Sequence, residues 1–312
     1  LKQFLLQPFG LRRLLSSGAA SSRSRMTEES EQAENGLLLV TFNVWRDAPF
    51  DGLTPELNPD LEKKKHKHHQ VWGEEDNGRK NVMMQLFKEQ VGRGVDVFGL
   101  QECTKTMLDA LVKEVLPSHY QAPFAEFVDK NEEQILYRAD LFELLHKTWG
   151  SLSQTAAKYA YSILKLRHKE SGRTFIIANT HLTWQGGGTS QDRADQMAHV
   201  VEAIASLPRD PSEDDLPIVV MGDLNDVYVP VEVAFDKLGV KPSFILQDPP
   251  SIAPHTLPTP MGDPHEEVDS WAAKTYDWIL SRGLQVKQTA RMDFNIDGIY
   301  PSDHYPVFAR YA

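Results

Sequence analysis

One cysteine, Cys103, among 312 residues excludes an internal disulfide, so nothing argues for secretion on redox grounds. It reads as a small buried apolar side chain. No apolar run approaches the roughly 20 residues that a membrane-spanning helix needs, and no segment repeats. Basic charge is scarce: 33 Lys and Arg face 44 Asp and Glu, for a net charge of −11. Lys2, Arg12, Arg13, Arg23 and Arg25 lie in the acid-free stretch Leu1–Arg25, which leaves the remainder at −16. The globally basic surface of a sequence-independent duplex binder is therefore missing, and a polyanionic substrate would need a local basic patch or a bound cation. Gly186-Gly187-Gly188 lacks the lysine and spacing of a phosphate-cradling P-loop and reads as a flexible turn.

What is present suits a soluble globular protein. The chain is 41% hydrophobic and long enough to bury a sizeable core. Residues 1–36 are polar and Ser-rich, then acidic through Glu28, Glu29, Glu31 and Glu34, and read as a disordered tail or targeting segment. Leu1–Arg25 has the leucines, arginines and serines of a mitochondrial presequence, whereas Met26 offers a start beyond it. The expected location is intracellular: mitochondrial if that stretch is a presequence, otherwise cytoplasmic or nuclear.

From Leu37 to Ala312 strand-like and helix-like stretches alternate as one contiguous domain. Strands are expected at 37–42, 95–100, 134–137, 161–166, 175–179, 218–221, 278–281 and 307–311. Helices are expected at 81–90, 105–116 and 192–207, with a short one from Val231. In the third helix Ala194, Met197, Val201 and Ile204 share one stripe at the 3.6-residue period, and Asp192 sits in the first turn, where the dipole favours an acid. Two irregular stretches interrupt this α/β pattern. Phe50–Gly78, with Lys63-Lys64-Lys65-His66-Lys67-His68-His69, reads as a solvated loop whose histidines match no metal-ligand spacing. The Pro- and Gly-rich Gln247–Lys274 leads into Tyr276-Asp277 and reads as a substrate-facing loop.

Polar residues recur where the apolar runs stop: Asn43, Glu102, His181, Asp223 and Asn225, Asp277, and Asp303 with His304. Loops at strand ends carry function, so these read as one site at a sheet edge. Converging carboxylates repel unless a cation neutralises them. The oxygen donors Glu102, Asp303 and Asn43 suit Mg2+, or Mn2+, better than zinc. Asp223 with Asn225 then suits the base that activates water. His181 and His304 would bind non-bridging phosphate oxygens, with Asp277 orienting an imidazole, His304 above all. The reading is metal-assisted hydrolysis of a phosphate ester.

Thr41-Phe42-Asn43, Gly99-Leu100-Gln101-Glu102, Ile135-Leu136-Tyr137-Arg138, Asn179-Thr180-His181, Gly222-Asp223-Leu224-Asn225, Tyr276-Asp277-Trp278 and Pro301-Ser302-Asp303-His304, in this order, resemble the endonuclease/exonuclease/phosphatase superfamily over Leu37–Ala312. Its members include deoxyribonucleases, apurinic endonucleases, deadenylases, tyrosyl-DNA phosphodiesterases, neutral sphingomyelinases and inositol-polyphosphate phosphatases. The resemblance implies a four-layer α-β-β-α sandwich, with two mixed sheets face to face and helices outside, and Mg2+-dependent hydrolysis. It implies metal binding at Asn43, Glu102 and Asp303, and catalysis by His181, Asp223, Asn225, Asp277 and His304. His181 stands where apurinic endonucleases carry Tyr, which argues against abasic-site repair. A phosphodiesterase or nuclease acting on single-stranded nucleic acid or a nucleotide-like ester leads. A phosphomonoesterase, a lipid-head-group phosphodiesterase and, more remotely, a non-catalytic binding module remain as alternatives.

Overall fold

The structure is a computed structural model that describes residues 36–46, 79–153, 159–209, 213, 215–257, 259 and 274–312. The loop expected at Phe50–Gly78, the tail before Gly36 and much of Gln247–Lys274 lie outside the described residues.

Each expected strand forms. In chain order they are β1 (Leu38–Asn43), β2 (Val97–Gln101), β3 (Tyr120–Gln121), β4 (Gln134–Arg138), β5 (Phe142–Ser151), β6 (Ala160–His168), β7 (Thr174–His181), β8 (Ile218–Asp223), β9 (Lys241–Pro242), β10 (Asp277–Arg282), β11 (Val286–Arg291) and β12 (Val307–Tyr311). The helices are α1 (Arg79–Gly92), α2 (Lys105–Glu114), α3 (Ser190–Ala205), α4 (Val229–Leu238) and the single turn α5 (Ser243–Leu246). Thr189 caps α3 with a reciprocal pair: its hydroxyl accepts from the Asp192 amide, and the Asp192 carboxylate accepts from the Thr189 amide. The left-handed Gly239 closes α4.

The strands build two six-stranded sheets, in the orders β11-β12-β1-β2-β4-β3 and β5-β6-β7-β8-β10-β9. Both are mixed, and each has one parallel pair at its centre, β1 with β2 and β7 with β8. The helices α1 and α3 fall between the members of these pairs, as a parallel crossover requires.

Side-chain alternation divides the core into three slabs. Leu39, Val97, Ile135, Ile177, Val219, Met221, Ile279 and Val307 face inward and pack sheet against sheet. Val40, Phe42, Phe98 and Leu100 point outward onto Met83, Leu86, Phe87, Met107 and Leu111 of α1 and α2. Ile176, Ala178, Ile218, Val220 and Leu280 meet Met197, Val201, Ile204, Val231 and Ala234 of α3 and α4. Sheets buried on both faces read as continuous apolar runs, and the result is the four-layer sandwich.

At one end of the inner slab amides replace aliphatics. The Gln101 Nε2 donates to Asn179 Oδ1 at 2.6 Å and to Thr41 Oγ1 at 3.0 Å, and Asn179 Nδ2 donates to the carbonyls of Leu100 and Gln134. This fully buried bridge crosses from one sheet to the other and fixes their mutual register just beneath the polar edge.

Candidate active site

The topology delivers the polar residues to one edge. Asn43 and Gln101 are register partners at the carboxyl ends of β1 and β2, as are His181 and Asp223 at the ends of β7 and β8. Asp277 opens β10, which runs antiparallel to β8 and pairs it with Asp223. Asp303 and His304 precede β12, which runs antiparallel to β1. Carboxyl ends of parallel strands and amino ends of their antiparallel neighbours therefore meet at one lip. Trp45, Glu102 and Asn225 hold positive φ there, at 52°, 57° and 49°. Such backbone costs of order 1–3 kcal/mol in a residue with a side chain and clusters at functional sites.

On the second sheet, Asp223 is almost fully buried. Its Oδ1 accepts from the Asn225 amide at 2.9 Å and its Oδ2 from Asn43 Nδ2 at 3.0 Å. The Asn225 Nδ2 lies 3.1 Å from His181 Nε2 and donates to the Leu182 carbonyl at 2.9 Å. His181 Nε2 is 3.5 Å from Asp223 and 4.0 Å from Glu102. His304 Nδ1 bonds Asp277 Oδ2 at 2.8 Å, and its Nε2 is 3.7 Å from Asp223.

Burial would lower the His304 pKa, but the carboxylates of Asp277 and Asp223 outweigh it and hold the ring well above its ordinary value, hence protonated. Burial raises the Asp223 carboxyl, with Asp277 adding and His304 opposing. Asp303 is raised by burial, partly offset by His304, with Glu102 pushing it further up. The Ser302 hydroxyl donates to the Asn43 carbonyl at 2.7 Å and ties the Asp303 loop to β1.

The structure thus brings Asn43, Glu102, His181, Asp223, Asn225, Asp277, Asp303 and His304 together. It also adds residues that the sequence reading missed. Glu133 is fully buried, with Oε1 3.8 Å from His181 Nδ1 and Oε2 accepting from the Glu102 amide at 3.3 Å. Burial, then Glu132 and Glu102, raise its pKa well above the usual carboxylate value. Tyr159 stands edge-on to the His181 ring at 5.2 Å. Arg79 donates to the carbonyls of Val44, Trp45, Arg46 and Pro301, bracing the β1 exit loop against the Asp303 loop. Thr256 accepts from the amides of Tyr276 and Asp277, and Thr259 donates through its amide and hydroxyl to the Asp303 and Ser302 carbonyls. This part of the stretch expected to face substrate ties the Tyr276-Asp277 segment to the Ser302-Asp303 segment.

Two donor sets exist for a metal. Ligand atoms of Asp223, Asp277 and His304 lie within 4.8 Å of one another. That trio already holds its own counter-charge in the protonated His304, and the 2.8 Å bond occupies the imidazole Nδ1. The Glu102 carboxylate instead pushes the Asp303 carboxyl up, and Ser302 ties the Asp303 loop to Asn43, whose Oδ1 accepts from the Trp45 amide at 3.0 Å, while Arg46 pairs with Glu132 at 2.8 Å and Arg79 grips carbonyls. Surplus negative charge on oxygen donors fits a hard divalent cation.

The sequence profile of the Endonuclease/Exonuclease/phosphatase family matches residues 40–304. No curated protein matches at a significant level. Solved structures share the fold. A functionally unknown conserved protein from Enterococcus faecalis superposes with a TM-score of 0.64 at 19% identity, over 88% of this chain and 99% of its own. A mannosyl-6-phosphatase from Bacteroides thetaiotaomicron superposes at 0.61 and 18%, over 88% and 99%. The TDP2 of D. rerio, complexed with single strand DNA product, superposes at 0.61 and 16%, over 89% and 100%. Profile, paired mixed sheets and polar lip agree, and the chain belongs to the endonuclease/exonuclease/phosphatase family of phosphoester hydrolases.

Proposed function

We propose that this chain is a divalent-metal-dependent phosphodiesterase, using Mg2+ or Mn2+, that cleaves single-stranded nucleic acid or a nucleotide-like ester. The observation that carries the reading is one polar lip in which two kinds of chemistry meet. The carboxylates of Glu102 and Asp303, with Asn43 bonded to Asp223, adjoin an imidazole–carboxylate network of His181, Asp223, Asn225, Asp277 and His304.

Asn43, Glu102 and Asp303 would hold the cation, which supplies charge neutralisation at a phosphoryl oxygen when bound. Asp223 accepts the proton of the attacking water, while Asn225 orients that water through an amide fixed by the Leu182 carbonyl. The protonated His304, held by Asp277, donates to a non-bridging oxygen as charge builds in the transition state. His181, flanked by Glu133 and Tyr159, would contact a further non-bridging oxygen. Glu102 answers to both halves, since its carboxylate lies 4.0 Å from His181. The likeness to D. rerio TDP2, complexed with single strand DNA product, supports a nucleic-acid strand as ligand. The likeness to a mannosyl-6-phosphatase supports the phosphomonoesterase alternative on the same scaffold.

A substrate panel with Mg2+ tests the reading: single-stranded DNA and RNA, poly(A), 5'-tyrosyl DNA, sphingomyelin, inositol phosphates and sugar 6-phosphates. The nucleic-acid or nucleotide esters are expected to turn over, with Asp223→Ala or chelation abolishing activity in a folded protein. Turnover of monoesters alone overturns the substrate class, and full activity in excess chelator overturns the metal.

A further inference from the structure

Trp184 lies three residues past His181 and is 52% exposed, the one aromatic among the large hydrophobic side chains on the described surface. A tryptophan in a loop beside a glycine triplet would ordinarily be expected to swing freely. Here the loop is pinned. The Thr183 amide and hydroxyl bond Gln196 at 2.9 and 2.7 Å. Arg193, itself paired with Asp226 at 3.1 Å, donates to the carbonyls of Thr183 and Gly188. The Gly187 amide donates to the Trp184 carbonyl at 3.0 Å.

The glycines serve the indole. A Cβ on Gly186 would stand 2.2, 2.5 and 2.6 Å from three successive atoms of the six-membered ring, distances so alike that it would sit over the ring face and not beyond its edge. A Cβ on Gly187 would stand 2.8 and 3.0 Å from Nε1 and Cδ1 of the five-membered ring. Only bare backbone can lie along the indole this closely. One face is thereby covered along its length and the other is left open, which matches the half exposure. Among the described residues no aromatic ring or cation is stacked on that open face.

The platform connects to the catalytic cleft through a short path. The Trp184 amide donates to the Tyr159 hydroxyl, and the Tyr159 ring stands against His181 at 5.2 Å and 69°. A fixed, flat, half-covered indole on the loop that leaves His181 has the geometry on which a planar base stacks.

We propose that the open face of Trp184 is a stacking subsite for the nucleobase adjoining the phosphate under attack, so that the chain prefers base-bearing over abasic strands. This deepens the nucleic-acid reading above and rests on it.

The test compares the intact protein and its variants on a thymidine hexanucleotide and on an abasic strand of equal length, both with Mg2+. Wild type is expected to favour the thymidine strand in kcat/KM. Trp184→Ala should cut that preference about tenfold, in line with the worth of one base–aromatic stack. Trp184→Phe, which keeps a flat ring and is well tolerated at a half-exposed position, should retain most of it. Gly186→Ala, which drives a methyl into the covered face, should lose it as Trp184→Ala does. An unchanged preference in Trp184→Ala, or none in wild type, overturns the subsite while leaving the phosphodiesterase standing. Hydrolysis of neither strand by a wild type that turns over sugar or inositol phosphates overturns the substrate class and the subsite with it.

Discussion

Asp96 offers a sharp test of the electrostatics, because its removal should stabilise the protein. It lies just before β2, 5% exposed, with Oδ2 accepting from the Leu38 amide at 2.8 Å while its own amide donates to the Leu38 carbonyl at 2.9 Å. Arg138 stands 3.9 Å away, too far to neutralise it fully. Burial raises its carboxyl from 3.8 to about 6, against the lowering pull of the Leu38 bond and Arg138. At ~1.4 kcal/mol per decade of acidity, keeping it ionised at pH 8 costs about 3 kcal/mol. A carboxyl raised on folding contributes stability that is complete below its unfolded value of 3.8 and is lost as the pH rises through about 6. Asp96→Asn retains an oxygen for the Leu38 amide and carries no charge. Urea unfolding of both proteins at pH 8 and pH 5 should show the variant more stable at pH 8, by about 1–3 kcal/mol, and its advantage about 1 kcal/mol smaller at pH 5. A variant that is less stable than wild type at pH 8 would refute the reasoning, since the ionised carboxylate would then be a net stabiliser.

Three further outcomes are expected. Gly222 holds φ +141°, and a Cβ there would stand 1.9 Å from the Thr180 carbonyl, so Gly222→Ala should cost about 3 kcal/mol or more in urea unfolding; a loss under about 1 kcal/mol contradicts the packing. Arg79→Lys keeps the charge but not the fork that grips four carbonyls, so its Mg2+ activation curve should move to higher concentration with kcat/KM down about tenfold; superimposable curves sink that role. Mg2+ at about a hundred times its dissociation constant should stabilise wild type by about 2.7 kcal/mol and raise its Tm by several degrees. Glu102→Gln should lose most of that rise, and an equal rise in both proteins places the cation elsewhere.

The central strands and their polar ends were legible because sheets buried on both faces write themselves as apolar runs that stop abruptly, as in Leu38–Asn43 and Ile218–Asp223. The outlying strands were not. Phe142–Ser151 is only partly buried along most of its length, and Val286–Arg291 reads VKQTAR, so neither carries a hydrophobic run to betray it. Their pairing with β6 and β12 is tertiary information. Glu133 escaped for a related reason. Asn131-Glu132-Glu133-Gln134 has the composition of a solvated turn, yet Asn131 bonds Ser162 at 2.7 Å across the seam and draws Glu133 inward beneath His181. The helices were found to within a few residues, since their apolar stripes face whole sheets.

The first sheet is assembled from both halves of the chain: β1 lies between β2 and β12, which are separated by most of the sequence. During synthesis Asn43 and Glu102 leave the ribosome long before Asp303, and the flank of β1 stays open until β12 arrives. An open flank of that kind invites mispairing and is a natural client for chaperones. The polar lip is likewise complete only once β12 and the Asp303–His304 segment that precedes it have docked.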